Sequence, residues 1–310
     1  MYNHFFKIKQ LPISKTVYII VGPTGVGKTT FAIALAKLLN TEIISADARQ
    51  CYQEMNIGVA RPSIEELNQV KHHFISSHSI QDQVNAAVFE KYALEKVDET
   101  FKAKDAIVMV GGTGLYIKAF CEGLDMIPEI ATEIREGIIQ QYEKLGLRWL
   151  QKEVSVKDPI YWQKGEQQNP QRLMRALEVK LGTGESIVNF QNKNKVTRPF
   201  HIIKIGIEMP REILYDHINQ RVLNMVEQGL EQEVRLLHAY VTSNALQTVG
   251  YSEWQPYFEG IITKGRVIEL IQQNTRHYAK RQMTWFKKDA NIHWFDARDA
   301  SVEKMLELLK

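Results

Sequence analysis

Residues 22–29 read Gly22, Pro23, Thr24, Gly25, Val26, Gly27, Lys28 and Thr29, and they satisfy the phosphate-loop pattern G-x-x-x-x-G-K-[ST] in full. Glycines let backbone N–H groups turn inward around an anion. Lys28 adds a full positive charge, and the Thr29 hydroxyl can ligate Mg²⁺. The loop alone does not choose between a nucleotide and a free diphosphate ester. A second group, Gly111-Gly112-Thr113-Gly114, closes the apolar run Ala106–Val110. A nucleotide-hydrolysing protein usually carries a magnesium-holding acid at such a place. Here Thr113 offers a hydroxyl, and the glycines allow close backbone approach; a plain tight turn is the alternative. Asp47 follows the short run 42–45. Its carboxylate could bind magnesium, accept a proton, or merely cap a turn.

These groups act together only if one framework brings them to a common edge. Val17–Val21 is a continuous β-branched apolar run, which predicts a buried parallel strand before the loop, and a helix follows over about 29–39. Further strands are predicted at 42–45, 106–110, 201–209 and 291–296, with a helix over 86–103. Strands alternating with helices imply a doubly wound parallel α/β sheet of the phosphate-loop type, whose ligands bind at the carboxyl edge. From 124 to 200 the periodicity is helical, so a mostly helical insertion is expected within a core of 16–123 and 201–300. The polar run 191–199 is the candidate linker.

The bulk numbers set bounds. With 44% hydrophobic and 24% charged residues, the 310-residue chain has the make-up of a soluble protein with a sizeable core. No run suits a membrane span, and the N-terminus lacks the apolar centre of a secretory signal, so a cytoplasmic location is expected. Cys51 and Cys121 cannot form a disulfide framework or a zinc site by themselves. His72, His73 and His78 lack accompanying ligands and are expected in core or surface roles. A net charge of +3 decides nothing about nucleic acid, so the placement of charge must.

The blocks GPTGVGKT, SADARQCYQEMNIGVARP, VGGTGLYIKA, NPQRLMRALEV, TVGYSE and AKRQMTWFKK span about residues 17–288. Their order resembles that of the tRNA dimethylallyltransferases, also called tRNA isopentenyltransferases. The resemblance implies transfer of a dimethylallyl group from dimethylallyl diphosphate to N6 of adenosine 37, in the anticodon stem-loop of tRNA. The phosphate loop, Gly22 to Thr29, would hold the diphosphate leaving group, with Mg²⁺ on Thr29. Lys28, Arg172, Asp47 and Thr113 would carry the chemistry, Asp47 orienting N6 and taking its proton. Val26 and Ala48 stand where serine is common in that family; neither removes a group assigned to the reaction.

The same resemblance implies tRNA contacts from Asp47, Ala48, Arg49, Gln50 and Thr113, and from Arg135. It adds Gln171, Arg172, Leu173, Met174 and Arg175 on the helix opened by Asn169 and Pro170, and Gly250 and Tyr251 in a later turn. Over 266–288 the residues themselves contribute. Val267, Ile271, Tyr278 and Trp285 share one helical face, and Arg266, Arg276, Lys280 and Lys287 lie roughly opposite. Such a ridge suits an RNA backbone, with Arg276 and Lys280 its chosen contacts, or is simply solvated. A monomer is expected. The rival readings are a phosphate-loop kinase of small molecules, an RNA-binding ATPase switch, and a prenyltransferase acting on free adenine nucleotides.

Overall fold

The computed structural model describes residues 15–191, 195–299 and 301–308. The N-terminal stretch read for targeting and part of the candidate linker, residues 192–194, lie outside them. The chain divides into two compact units, Gly123–Thr197 and the remainder. The smaller unit falls within the stretch expected as the insertion, 124–200, apart from Gly123.

The larger unit begins with β1 (Thr16–Val21), α1 (Lys28–Leu38), β2 (Ile43–Ser45), α2 (Ile64–Gln69), β3 (His72–His73), α3 (Ala86–Phe101), β4 (Ala106–Gly111) and α4 (Gly114–Glu122). The inserted unit holds α5 (Thr132–Lys157), α6 (Pro159–Lys164), α7 (Pro170–Thr183) and α8 (Ile187–Phe190). The larger unit resumes with β5 (His201–Glu208), α9 (Arg211–Glu227), α10 (Leu230–Leu236), α11 (Gln255–Phe258), α12 (Lys264–Phe286), β6 (Ile292–Asp296) and α13 (Val302–Leu308).

The six strands form one sheet in the order β3-β2-β4-β1-β5-β6, and every pairing is parallel. Both faces are covered, which is why β1 reads as an unbroken apolar run. Val17, Ile19 and Val21 enter one core, and Tyr18 and Ile20 enter the other. β4 pairs with one side of β1 and β5 with the other, so the chain reverses its direction of travel across the sheet at β1. In open α/β sheets ligands sit at such a switch point, beyond the carboxyl strand ends.

β3 was not among the expected strands. His72 and His73 lack the apolar alternation that marks one, and the pairing is an edge addition to β2. His73 Nε2 meets Glu42 Oε2 at 2.7 Å, and His72 Nδ1 meets the Val70 carbonyl at 2.7 Å. The inserted unit has a core of its own, including Leu150, Val154, Leu173 and Leu177. Its helix α5 is broken at Gly146, whose φ of 73° is left-handed. Among the described residues no helix is long and apolar enough to cross a membrane.

Candidate active site

Three adjacent strand ends build the site. After β1 the phosphate loop curls into α1, with Gly27 at the N-cap position and φ at 89°. A Cβ there would meet nothing, so glycine is required by the backbone angle rather than by space. Lys28 Nζ donates to the Pro23 carbonyl at 2.8 Å. Lys28 is half-buried by exposed area, yet its ammonium is ringed by protein. That burial, reinforced by the nearby Arg221 guanidinium and opposed by Asp47, pushes the amine down to about 7.

The ends of β2 and β4 are stitched to each other. Thr113 N–H donates to the Ala46 carbonyl at 3.2 Å. Thr113 Oγ1 accepts from Ala48 N–H at 3.0 Å. Asp47 Oδ1 accepts from Arg49 N–H at 2.8 Å and from Gln50 N–H at 3.2 Å. One oxygen of Asp47 thus holds its own turn, and Oδ2 is left for other work. The carboxylate also acts on Lys28 and Arg221, opposing the loss of charge that burial imposes on both.

A cavity of about 400 Å³ opens over these strand ends. Thr24, Lys28, Thr29, Asp47, Arg49, Gln50 and Gly112 line it, joined by Arg221, Tyr278 and Gln282 from α9 and α12. Val222, Met225 and Ile271 add an apolar wall. The volume suits a small substrate, and its lining divides into a cationic part and an apolar part.

Residues 50–289 match the family model described as IPP transferase. The chain belongs to the IPP transferase family. A tRNA dimethylallyltransferase of Flavobacterium psychrophilum is 47% identical over 94% of this chain and 96% of its own length. One from Bacteroides thetaiotaomicron is 40% identical over 95% of both chains. The solved tRNA isopentenylpyrophosphate transferase of Bacillus halodurans superposes with a TM-score of 0.70 at 34% identity, over 95% of this chain and 94% of that one. A eukaryotic dimethylallyltransferase solved acting on tRNA gives 0.77 at 25% identity, over 92% of this chain and 75% of that one.

Within this IPP transferase, the expected residues fall into several environments. Lys28, Thr29, Asp47, Arg49 and Gln50 line the cavity. Gln50 also ties the loop down, for its Nε2 donates to the Ala60 carbonyl at 3.0 Å and its Oε1 accepts from Ser45 Oγ at 3.2 Å. Tyr251, expected at the RNA surface, is only 3% exposed, and its hydroxyl donates to Glu233 Oε1 at 2.6 Å. That side chain is structural. Arg135, Gln171, Arg172, Leu173, Met174 and Arg175 belong to the inserted unit. Arg135 and Arg175 both pair with the buried Glu178, at 3.1 and 2.9 Å. Gln171 and Arg172 are exposed. Leu173 is fully buried in that unit's core, so its side chain is closed to RNA.

The ridge on α12 is partly consumed by protein. Arg276 Nη1 donates to Asn219 Oδ1, and its guanidinium lies 5.9 Å from the centre of the Tyr215 ring. Lys287 pairs with Glu208 at 2.9 Å. Lys280 stays exposed. Trp285, expected to share a face with Val267 and Ile271, is 40% exposed, whereas those two are buried.

Three site residues escaped the sequence reading. Arg221 Nη1 donates to Thr24 Oγ1 at 3.3 Å. Tyr278, read only as one of four residues sharing a helical face, lines the cavity; burial, and then the Asp47 charge, push its phenol up to about 12, so it stays a neutral donor. Gln282 is 5% exposed and bonded to the phosphate loop. The block AKRQMTWFKK contains Gln282 and so marked its neighbourhood; no local signal marked Arg221.

Proposed function

We propose that the protein transfers a dimethylallyl group to tRNA, from dimethylallyl diphosphate onto the exocyclic N6 of adenosine 37 beside the anticodon. The observation that carries this is the joint lining of one cavity by a phosphate loop, the cations Lys28 and Arg221, and the Asp47 carboxylate, with apolar Val222, Met225 and Ile271 alongside. A diphosphate fits the cationic part and a five-carbon group the apolar part. The names of the related enzymes point the same way.

In this reading the allylic C–O bond breaks, and its electron pair leaves on the diphosphate. The N6 lone pair forms the new C–N bond, and the amine proton passes to Asp47 Oδ2. Lys28, Arg221 and the loop amides stabilise the departing charge where it develops. Thr113 and Tyr278 orient the base. Mg²⁺ would neutralise diphosphate oxygens. The Thr29 hydroxyl on the cavity wall would hold it, and no group of three or more His, Cys, Asp or Glu among the described residues forms an acidic cage. That lone ligand suits an ion that keeps waters and phosphate oxygens around it. The target base must leave its stack to reach the cavity. The exposed Lys280, Arg172 and Gln171 are the proposed phosphate-backbone contacts.

The test is incubation with labelled dimethylallyl diphosphate, Mg²⁺ and unmodified tRNA, with ATP present. Label should enter tRNA as diphosphate is released, and ATP should persist. ADP release matching product formation would replace this reading with the kinase. In the same assay Asp47→Asn keeps the Oδ1 acceptor that holds the turn but cannot take a proton. Its single-turnover rate should fall roughly 10²–10⁴-fold with donor binding preserved. Near-normal transfer would remove Asp47 as the base.

A further inference from the structure

Gln282 lies on α12 with both ends of its amide committed. Its Oε1 accepts from Thr24 N–H at 2.8 Å, and its Nε2 donates to the Gly112 carbonyl at 3.0 Å. The first partner belongs to the phosphate loop, and the second to the turn that follows β4. A primary amide presents an acceptor and a donor side by side; a carboxylate lacks the donor, and a hydrocarbon lacks both.

Gly112 supplies a separate observation. A Cβ built there would lie 2.0 Å from Gln282 Nε2. The position must be glycine for as long as the amide reaches that carbonyl. The next residue, Thr113, holds Ala48 N–H, and Asp47 precedes Ala48. A continuous run of covalent and hydrogen bonds therefore joins the anion cradle to the base turn, and Gln282 is the cross-link.

We propose that Gln282 is a positioning residue for the transfer reaction. Its amide fixes the separation of the phosphate cradle from the Thr113–Asp47 pair, so that the allylic carbon and the incoming amine are held in line. This deepens the dimethylallyl-transfer reading and rests on it. The effect belongs to the bond-making step, because misplacement of about 1 Å between reacting groups can cost roughly 100-fold in rate.

Two variants of the full chain test it. Gln282→Met keeps the length and loses both hydrogen bonds. Gln282→Glu keeps the acceptor for Thr24 N–H and loses the donor to Gly112. Single-turnover rates and KM for donor and tRNA are measured beside hydrogen–deuterium exchange of peptides covering 22–29 and 110–114. Both variants should lose about 10- to 100-fold in maximal rate with each KM nearly unchanged. Exchange should rise in both peptides for Gln282→Met, and mainly in the second for Gln282→Glu. Should Gln282→Met fail to fold, Gln282→Glu carries the same comparison.

Unchanged rates would overturn the proposal. So would a loss confined to the donor KM, which would mean direct diphosphate contact. Exchange rising evenly over the whole chain would reduce Gln282 to a stability role. Absence of label transfer by the unaltered protein would overturn the functional reading and the positioning role with it. The exchange pattern, which needs no substrate, would still show whether the cross-link exists.

Discussion

Lys28 is where burial and function pull against each other. Its amine sits at about 7 in the free protein, against the ordinary lysine value of 10.5, because burial disfavours the charge and Arg221 adds repulsion. Between those two values the free protein holds a largely neutral amine. A bound diphosphate favours the ammonium, so donor binding takes up a proton in that window. Donor affinity should then fall as pH rises above about 7. Calorimetry of donor binding near the upper part of the window, in two buffers of different ionisation enthalpy, reads the uptake directly. Lys28→Arg stays charged and should abolish it while retaining affinity. Heats independent of buffer in the unaltered protein would show that Lys28 is already charged before the donor arrives. The sign for folding is separate. The unfolded chain binds more protons across the same window, so the buried amine costs stability at lower pH, and that cost is relieved as pH rises.

The loop around residues 54–60, whose Gly58, Val59 and Ala60 line the cavity, is held by Gln50 and by one carboxylate from α10. Glu233 accepts from Asn56 N–H at 3.1 Å, Ile57 N–H at 2.8 Å, Gly58 N–H at 2.9 Å and Tyr251 O–H at 2.6 Å. In Glu233→Gln the amide nitrogen would face backbone donors. Since hydrogen bonds to a charged group contribute about 1.5–3 kcal/mol, a loss of that order is expected. The loop should also become cleavable by protease near 54–60. Tyr251→Phe, which removes one neutral donor, should cost about 1 kcal/mol. Equal stability of Glu233→Gln and the unaltered protein, by thermal unfolding, would make the carboxylate dispensable. This element also shows what the chain discloses unaided. The strands around β1 were readable because burial on both faces leaves a run with no polar interruption. The phosphate-loop pattern and the Thr113 turn were readable because each is a local spacing of residue types. Glu233, Arg221 and Gln282 were not. A polar residue on a helix ordinarily marks a solvated face, and their partners lie far away in sequence: 258 positions separate Thr24 from Gln282. The α12 ridge was legible only in part, because a helical wheel assigns faces but not neighbours: Lys280 is exposed, whereas Arg276 is half-buried and meets Asn219 and Tyr215 of α9.

Each unit has apolar core of its own, and the described residues that line the cavity belong to the larger one. The chain departs at Glu122 and re-enters at Arg198, and those ends are already joined. Arg198 Nε donates to the Phe120 carbonyl at 2.7 Å, and its Nη2 donates to the Ala119 carbonyl at 3.0 Å and to Glu90 Oε1 at 2.6 Å. Two of the last four carbonyls of α4, those of Ala119 and Phe120, are therefore satisfied from within the larger unit and keep their partner when the insertion is removed. Replacement of Gly123–Thr197 by a short glycine-serine linker should therefore yield a folded α/β protein. That protein should bind inorganic diphosphate with an affinity close to that of the full chain, because Lys28, Thr29 and Arg221 all remain. Its affinity for tRNA should drop, since Gln171 and Arg172 leave with the insertion, and the salt dependence of what remains should be shallower because fewer phosphates are neutralised. Adding Arg198→Met to the shortened protein should cost about 3 kcal/mol, the loss of one partner from a largely buried ion pair. Circular dichroism establishes folding, diphosphate titration reads the cradle, and tRNA binding at several salt concentrations reads the rest. A shortened protein that is folded but no longer binds diphosphate would show that the cradle needs the inserted unit, and undiminished tRNA affinity with the same salt slope would move RNA recognition wholly onto the α/β unit.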